Sequence, residues 1–123
     1  KFLGLRNDVE SLMKISDIGV LMSNNIKHGE GISNSIMEYM ANGKPVIVSN
    51  NGGNSEIVLN HETGYIIDKN CHIILANKIC SLLSDISTLK KFGVNSKSRI
   101  LNHFNIETMV NKFIDLYLDL VRK

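Results

Sequence analysis

The 123-residue chain is sized for a single domain, and a chain this long can bury roughly two-thirds of its unfolded surface. Hydrophobic residues at 43 %, charged residues at 21 % and a net charge of +2 describe a globular protein and exclude a disordered or strongly nucleic-acid-directed one. Cys71 and Cys80 stand nine apart and the four histidines are scattered, so neither a metal-ligand spacing nor a redox motif is present, and two unpaired thiols fit a reducing, cytoplasmic compartment.

In chain order, Phe2 to Leu5 reads as a short strand with almost no lead-in, which predicts that the domain extends upstream of this sequence. KFLGLRNDVE is no signal peptide, because charges break its short apolar stretch. No run approaches the about 18 apolar residues that span a bilayer. Asp8 to Ile15 reads as a helix with Asp8 as N-cap and Leu12, Met13 and Ile15 as its buried side. Ile18 to Met22 is a continuous apolar run, the pattern of a strand covered on both faces. Ser33 to Asn42 predicts a helix capped by Ser33, stopped by Gly43 and followed by Pro45. Pro45 to Ser49 is the next strand, and Pro at its first position removes no ladder bond.

Asn50 to Asn54 (NNGGN) is a turn and Gly64 to Asp68 a further short strand. The chain then turns helical. His72 to Ser84 carries Ile74, Leu75, Ile79, Leu82 and Leu83. Ser87 to Phe92 reads as a short helix stopped by Gly93, and Asn95 to His103 as another. Asn105 caps a last helix with an amphipathic stripe of Ile106, Met109, Val110, Phe113, Tyr117 and Leu120. Lys90, Lys91, Lys97 and Arg99 read as a solvated helix face. Strand and helix in alternation predict a parallel α/β sheet. About four strands are available where a doubly wound domain has five or six, which again predicts a truncated unit.

The informative segment is GEGISNSIMEYMANGKP, residues 29–45. It follows a strand and opens a helix, and in a parallel sheet that junction lies at the carboxyl ends of the strands, where ligands bind. A helix N-terminus offers free N–H groups and the positive end of a dipole, which suit phosphate oxygens. Gly31 removes bulk at that place, so the N–H groups of Gly31, Ile32 and Ser33 are candidate contacts. Glu30 precedes the helix and Glu38 lies within it, pointing away from the buried stripe of Ile36 and Met40, with Asn34 one turn before on the same face. Eight helical residues span ~12 Å. That exceeds the about 5–9.5 Å between the paired carboxyls of a glycosidase. The spacing therefore fits two contacts along one elongated ligand, or two ordinary exposed glutamates. Lys27 and His28 read as either phosphate contacts or solvated loop residues, His61 and Glu62 as a turn before Gly64, and Gly52, Gly53, Asn54 and Glu56 as either a second anion-binding turn or a plain chain reversal.

In these residues the chain resembles the C-terminal domain of family 4 (group 1) retaining glycosyltransferases, whose Glu-x7-Glu motif is matched by Glu30 and Glu38 in EGISNSIMEYMANGKPVIVS. Three further segments extend the resemblance: FLGLRNDVESLMKISDIGVLMS upstream, NNGGNSEIVLNHETGYIID downstream and KSRILNHFNIETMVNKFIDLY at the end. Met22-Ser23 stands where the family usually has Pro-Ser, and Glu38-Tyr39-Met40-Ala41 where it has Glu-Ala-Met-Ala.

The resemblance implies a Rossmann-like parallel sheet with flanking helices, the C-terminal part of a two-Rossmann-domain (B-type) enzyme. Residues 1–123 would be a partial donor-binding domain, without the N-terminal acceptor domain or the Arg and Lys that clamp the diphosphate. Glu30 would be the catalytic-site acid touching the donor sugar. Gly31, Ile32 and Ser33 would meet sugar and diphosphate through the backbone, with Asn34 beside them. Glu38 would hold the ribose, and Leu5 and Arg6 would lie against the base, where Arg6 can stack; without the family Arg6 is an ordinary surface arginine.

It further implies transfer of a sugar from a nucleoside-diphosphate donor to a hydroxyl of a saccharide or lipid-linked acceptor, in polysaccharide or glycolipid assembly, with no metal or other cofactor. The setting would be cytoplasmic, at the inner face of the membrane. The alternatives are a non-catalytic nucleotide-sugar-binding module and a sugar-nucleotide epimerase of related architecture. The isolated piece is expected to be inactive and to self-associate through an exposed sheet edge.

Overall fold

The computed structural model describes residues 2–23, 31–68 and 71–122. Three strands, β1 (Gly19–Leu21), β2 (Val46–Ser49) and β3 (Gly64–Ile67), form one parallel sheet in the order β1-β2-β3. Gly19 lies opposite Val46, and Val46 opposite Gly64. The central strand explains the packing. Its side chains alternate, so Val46 and Val48 face one layer and Ile47 the other. All four of its residues are buried, as a strand covered on both faces requires.

Around the sheet run α1 (Val9–Ile15), α2 (Asn34–Ala41), the single turn α3 (Asn54–Ile57), α4 (His72–Ser84), α5 (Ile86–His103) and α6 (Ile106–Val121). On one side Ile36 and Met40 of α2 meet Val46, Val48, Ile57, Val58 and Ile100. On the other, Leu82, with Leu75 and Ile79 of the same helix, meets Ile47, Tyr65 and Ile67.

Several expectations need correction. No strand forms over residues 2–5: Gly4 takes a left-handed φ of 67°, which breaks an extended run, and Phe2 and Leu5 stand fully exposed. The described sheet therefore has three strands and not four. Val20 of β1 is exposed, so this edge strand is not covered on both faces. Ile15 of α1 is exposed, and Met13 alone of that helix is buried. Ile74 and Leu83 are exposed because the sheet takes only the Leu75–Ile79–Leu82 stripe of α4. A one-turn helix, α3, follows the NNGG turn where only a turn was expected.

The largest departure is at Gly93, which stops nothing. It sits in the middle of one 18-residue helix, α5. A Cβ placed on Gly93 would come within 2.3 Å of the Gly43 carbonyl oxygen. The glycine thus lets α5 lie on the chain that leads into β2. Ser96 Oγ then donates to the Thr63 carbonyl at 3.0 Å, just ahead of β3. Phe92 belongs to one core layer and Ile100 to the other. The helix therefore crosses the amino-terminal ends of β2 and β3 from layer to layer, and its later turns reach α3, where Arg99 donates to the carbonyls of Glu56 and Ile57.

α6 begins as expected, with Asn105 at its N-cap accepting from the Thr108 N–H at 2.7 Å. Its apolar stripe, however, is exposed along its whole length; none of its residues is buried.

Candidate nucleotide-sugar site

The carboxyl ends of β1 and β2 are tied together by two serines. Ser49 Oγ accepts from the Ser23 N–H at 3.0 Å and lies 3.2 Å from the Ser23 carbonyl, to which it donates. Asn54 Nδ2 donates to the Ser49 carbonyl at 3.0 Å, and the Asn50 N–H to Ile67 at 2.7 Å. These bonds fix the Asn50–Asn54 turn to the end of the sheet. Asn54 is fully buried and Asn51 nearly so, and Asn51 Nδ2 and Asn54 Oδ1 carry no hydrogen-bond partner among the described residues. Buried polar atoms without partners cost stability, so this turn is held against a local penalty.

Beside the turn lies the junction before α2. Ser33 occupies the N-cap in extended backbone, but its hydroxyl pairs with Ser35 Oγ at 2.9 Å and gives the helix no side-chain cap. No acidic residue lies in the first turn of α2. Its leading N–H groups thus keep their positive end uncompensated by any residue of the helix itself. A Cβ added to Gly31 would meet no atom of the described residues within 4 Å. Ile32 is half exposed, and Ser33 is buried.

Glu38 is exposed on the second turn of α2 and lines a cleft of about 320 Å³ with Glu10, Met13, Ala41 and Asn42. Asn34 opens instead on a second cleft of about 620 Å³, with Ile32, Met37, Glu56 and the start of α6. The two side chains, one turn apart, therefore look into separate clefts. Glu30, Lys27 and His28 lie outside the described residues. Leu5 is fully exposed. Arg6 is held by Asp8, with Nε to Oδ1 and Nη2 to Oδ2 both at 2.6 Å. The guanidinium lowers the Asp8 pKa and is itself raised by the pair. Asp8 is consequently spent on Arg6 and caps α1 by position only. His61 and Glu62 belong to the turn before β3, where His61 takes a φ of 65° and stacks edge-on to Tyr65. Among the described residues no three His, Cys, Asp or Glu side chains stand together as a metal site, and no helix is long and apolar enough to cross a membrane.

Sequence reading did not find the Ser23–Ser49 clamp or the place of Glu10 beside Glu38. Neither pair is close in sequence, and no spacing rule joins one helix to the next across an intervening strand.

Residues 1–99 match the family described as glycosyl transferases group 1. The chain is 37 % identical over 119 residues to the Escherichia coli UDP-Gal:α-D-GlcNAc-diphosphoundecaprenol α-1,3-galactosyltransferase, covering 97 % of this chain and 30 % of that protein. It is 35 % identical over 94 residues to the Staphylococcus aureus capsular polysaccharide glycosyltransferase CapM, covering 71 % of this chain and 25 % of that one. Among solved structures, a Rickettsia africae glycosyltransferase superposes with a TM-score of 0.86 at 29 % identity, covering all of this chain and 32 % of that one. Anabaena HepE, solved in complex with UDP, superposes with a TM-score of 0.85 at 25 % identity, over 97 % of this chain and 32 % of its own. The chain thus spans about a third or less of the length of these proteins.

Proposed function

The chain belongs to the group 1 glycosyltransferases, and from that premise we propose that it forms part of the donor-binding half of a retaining enzyme. The donor is a nucleoside-diphosphate sugar. Its diphosphate lies against the N–H groups of Gly31, Ile32 and Ser33, with Asn34 beside them. Its ribose hydroxyls donate to Glu38, Glu30 holds the sugar, and Leu5 and Arg6 flank the base. The observation that carries this reading is the uncapped start of α2, with Glu38 in a cleft one turn further on. HepE supports it from outside, having been solved with UDP and with UDP-glucose.

In the transfer, the bond from the sugar's anomeric carbon to the phosphate oxygen breaks, and a bond to the acceptor hydroxyl oxygen forms on the same face. The acceptor's proton passes to the departing phosphate. The work left to the protein is placement of the donor and stabilisation of charge growing on the diphosphate. The acceptor is a saccharide or a lipid-linked saccharide, a reading supported by the relative that acts on a diphosphoundecaprenol acceptor. Such an acceptor places the reaction at the cytoplasmic face of a membrane, in polysaccharide or glycolipid assembly. Acceptor binding and turnover need chain beyond these 123 residues.

The test is calorimetry of the complete gene product with UDP, GDP and ADP. Hydrogen bonds to a charged group contribute about 1.5–3 kcal/mol. Glu38→Ala should therefore weaken the best-bound nucleotide by about tenfold or more. Equal affinity of variant and wild type removes the ribose role.

A further inference from the structure

Gly53 stands in a narrower place than any turn needs. Its φ of −78° is open to every residue, so backbone freedom does not explain a glycine here. Space does. A Cβ on Gly53 would lie 2.8 Å from Ile32 Cγ1, 3.2 Å from the Ile32 backbone nitrogen and 3.3 Å from the Gly31 carbonyl carbon. Two of those three atoms are main chain and belong to the peptide unit joining Gly31 to Ile32. The neighbouring Gly31 has the opposite surroundings, with no atom of the described residues near its own missing Cβ. That peptide is therefore backed by Gly53.

The backing is rigid. Asn54, next in sequence, is fully buried and donates to the Ser49 carbonyl, and the Asn50 N–H is bonded to Ile67. Ser49 in turn is bonded through its hydroxyl to Ser23 at the end of β1. A line of contacts thus runs from all three strands, through the turn, to the back of the Gly31–Ile32 peptide.

From this geometry we infer that Gly53 is a positioning residue for the diphosphate: the turn it belongs to sets where the Ile32 N–H points. The inference rests on the reading of that N–H as a phosphate contact. Any side chain at residue 53 pushes the peptide away from the turn and shifts the donor out of line, while the ribose cleft at Glu38 is untouched.

The experiment uses the complete gene product with the tightest binder among UDP, GDP and ADP, and with its parent nucleoside. Gly53→Ala should weaken the nucleoside diphosphate at least tenfold and leave the nucleoside within about twofold. A second comparison separates placement from packing. Ile32→Ala removes the side-chain overlap at 2.8 Å but neither of the two main-chain overlaps. Gly53→Ala added to Ile32→Ala should therefore restore thermal stability to that of Ile32→Ala alone, while affinity for the diphosphate stays at least fivefold below it. Equal affinity of the double variant and Ile32→Ala overturns the positioning role. So does an equal loss for nucleoside and diphosphate in Gly53→Ala. Wild-type protein that binds none of the three nucleotides overturns the donor-site reading itself, and the inference with it.

Discussion

Three exposed carboxylates carry the clearest electrostatics in the described chain. Asp8 is lowered in pKa chiefly by its bonds from Arg6, Glu10 by Lys14 one turn on, and Asp85 by Thr88, whose N–H and hydroxyl it accepts at 3.0 and 2.6 Å. A carboxylate lowered in the folded state adds stability above its unfolded pKa, and that contribution vanishes as pH falls through the folded value. All three shifts have this sign, so acidification from pH 5 downward should lower the melting temperature. Asp85 is the one to test, because it caps α5. Asn can still accept from the Thr88 N–H but does not titrate. Asp85→Asn should flatten the low-pH fall in melting temperature, and Asp85→Ala should lower the melting temperature already at pH 7. A parallel fall for Asp85→Asn and wild type would place the acid sensitivity elsewhere. The other two pairs are solvent-screened, and 0.5 M salt should remove most of their share.

Among the elements, Gly93 opposes propensity to packing. In an exposed helix interior Ala is favoured over Gly by about 0.8–1.0 kcal/mol. Here the added methyl would meet the Gly43 carbonyl at 2.3 Å and Pro45 Cδ at 3.7 Å. Overpacking of this kind costs about 1–3 kcal/mol, so the packing term wins. Gly93→Ala should lower stability by about 1–2 kcal/mol in thermal denaturation, against the helix scale. An unchanged or raised melting point would mean that α5 does not bear on Gly43.

The same residue shows what could be read beforehand. Glycine near the middle of an apolar pattern reads as a stop, because the partner that makes it necessary lies fifty residues earlier. β2 and the helix from Ser33 were legible, since apolar period, capping position and the Gly43–Pro45 stop agree locally. The strand at Phe2–Leu5 was not, because apolar residues alone do not extend a chain that lacks ladder bonds and turns left-handed at Gly4. At the site, the junction at Gly31–Ser33 and the outward direction of Glu38 followed from period and position. That Asn34 and Glu38 face different clefts did not, because it depends on where α1 and α6 pack.

For the molecule as a whole, α6 is the exposed liability. Phe113, Ile114, Leu116, Tyr117 and Leu120 all stand about half exposed or more on a helix with no buried residue. β1 and β3 are both edges of the described sheet, and Val20 of β1 is exposed. Contiguous apolar surface and unpaired strand edges favour association. The 123-residue chain alone should run above its monomer mass in light scattering at micromolar concentration. It should also show no sugar transfer when given a nucleotide sugar and a saccharide acceptor. A clean monomer that turns over substrate would contradict both expectations.

The passage of α5 beneath the strands has a last consequence. By packing Gly93 on Gly43 and bonding Ser96 to Thr63, it ties together the approaches to β2 and β3 at the amino-terminal side of the sheet. The same helix reaches α3 through Arg99, so one rod braces both the entry and the exit of β2.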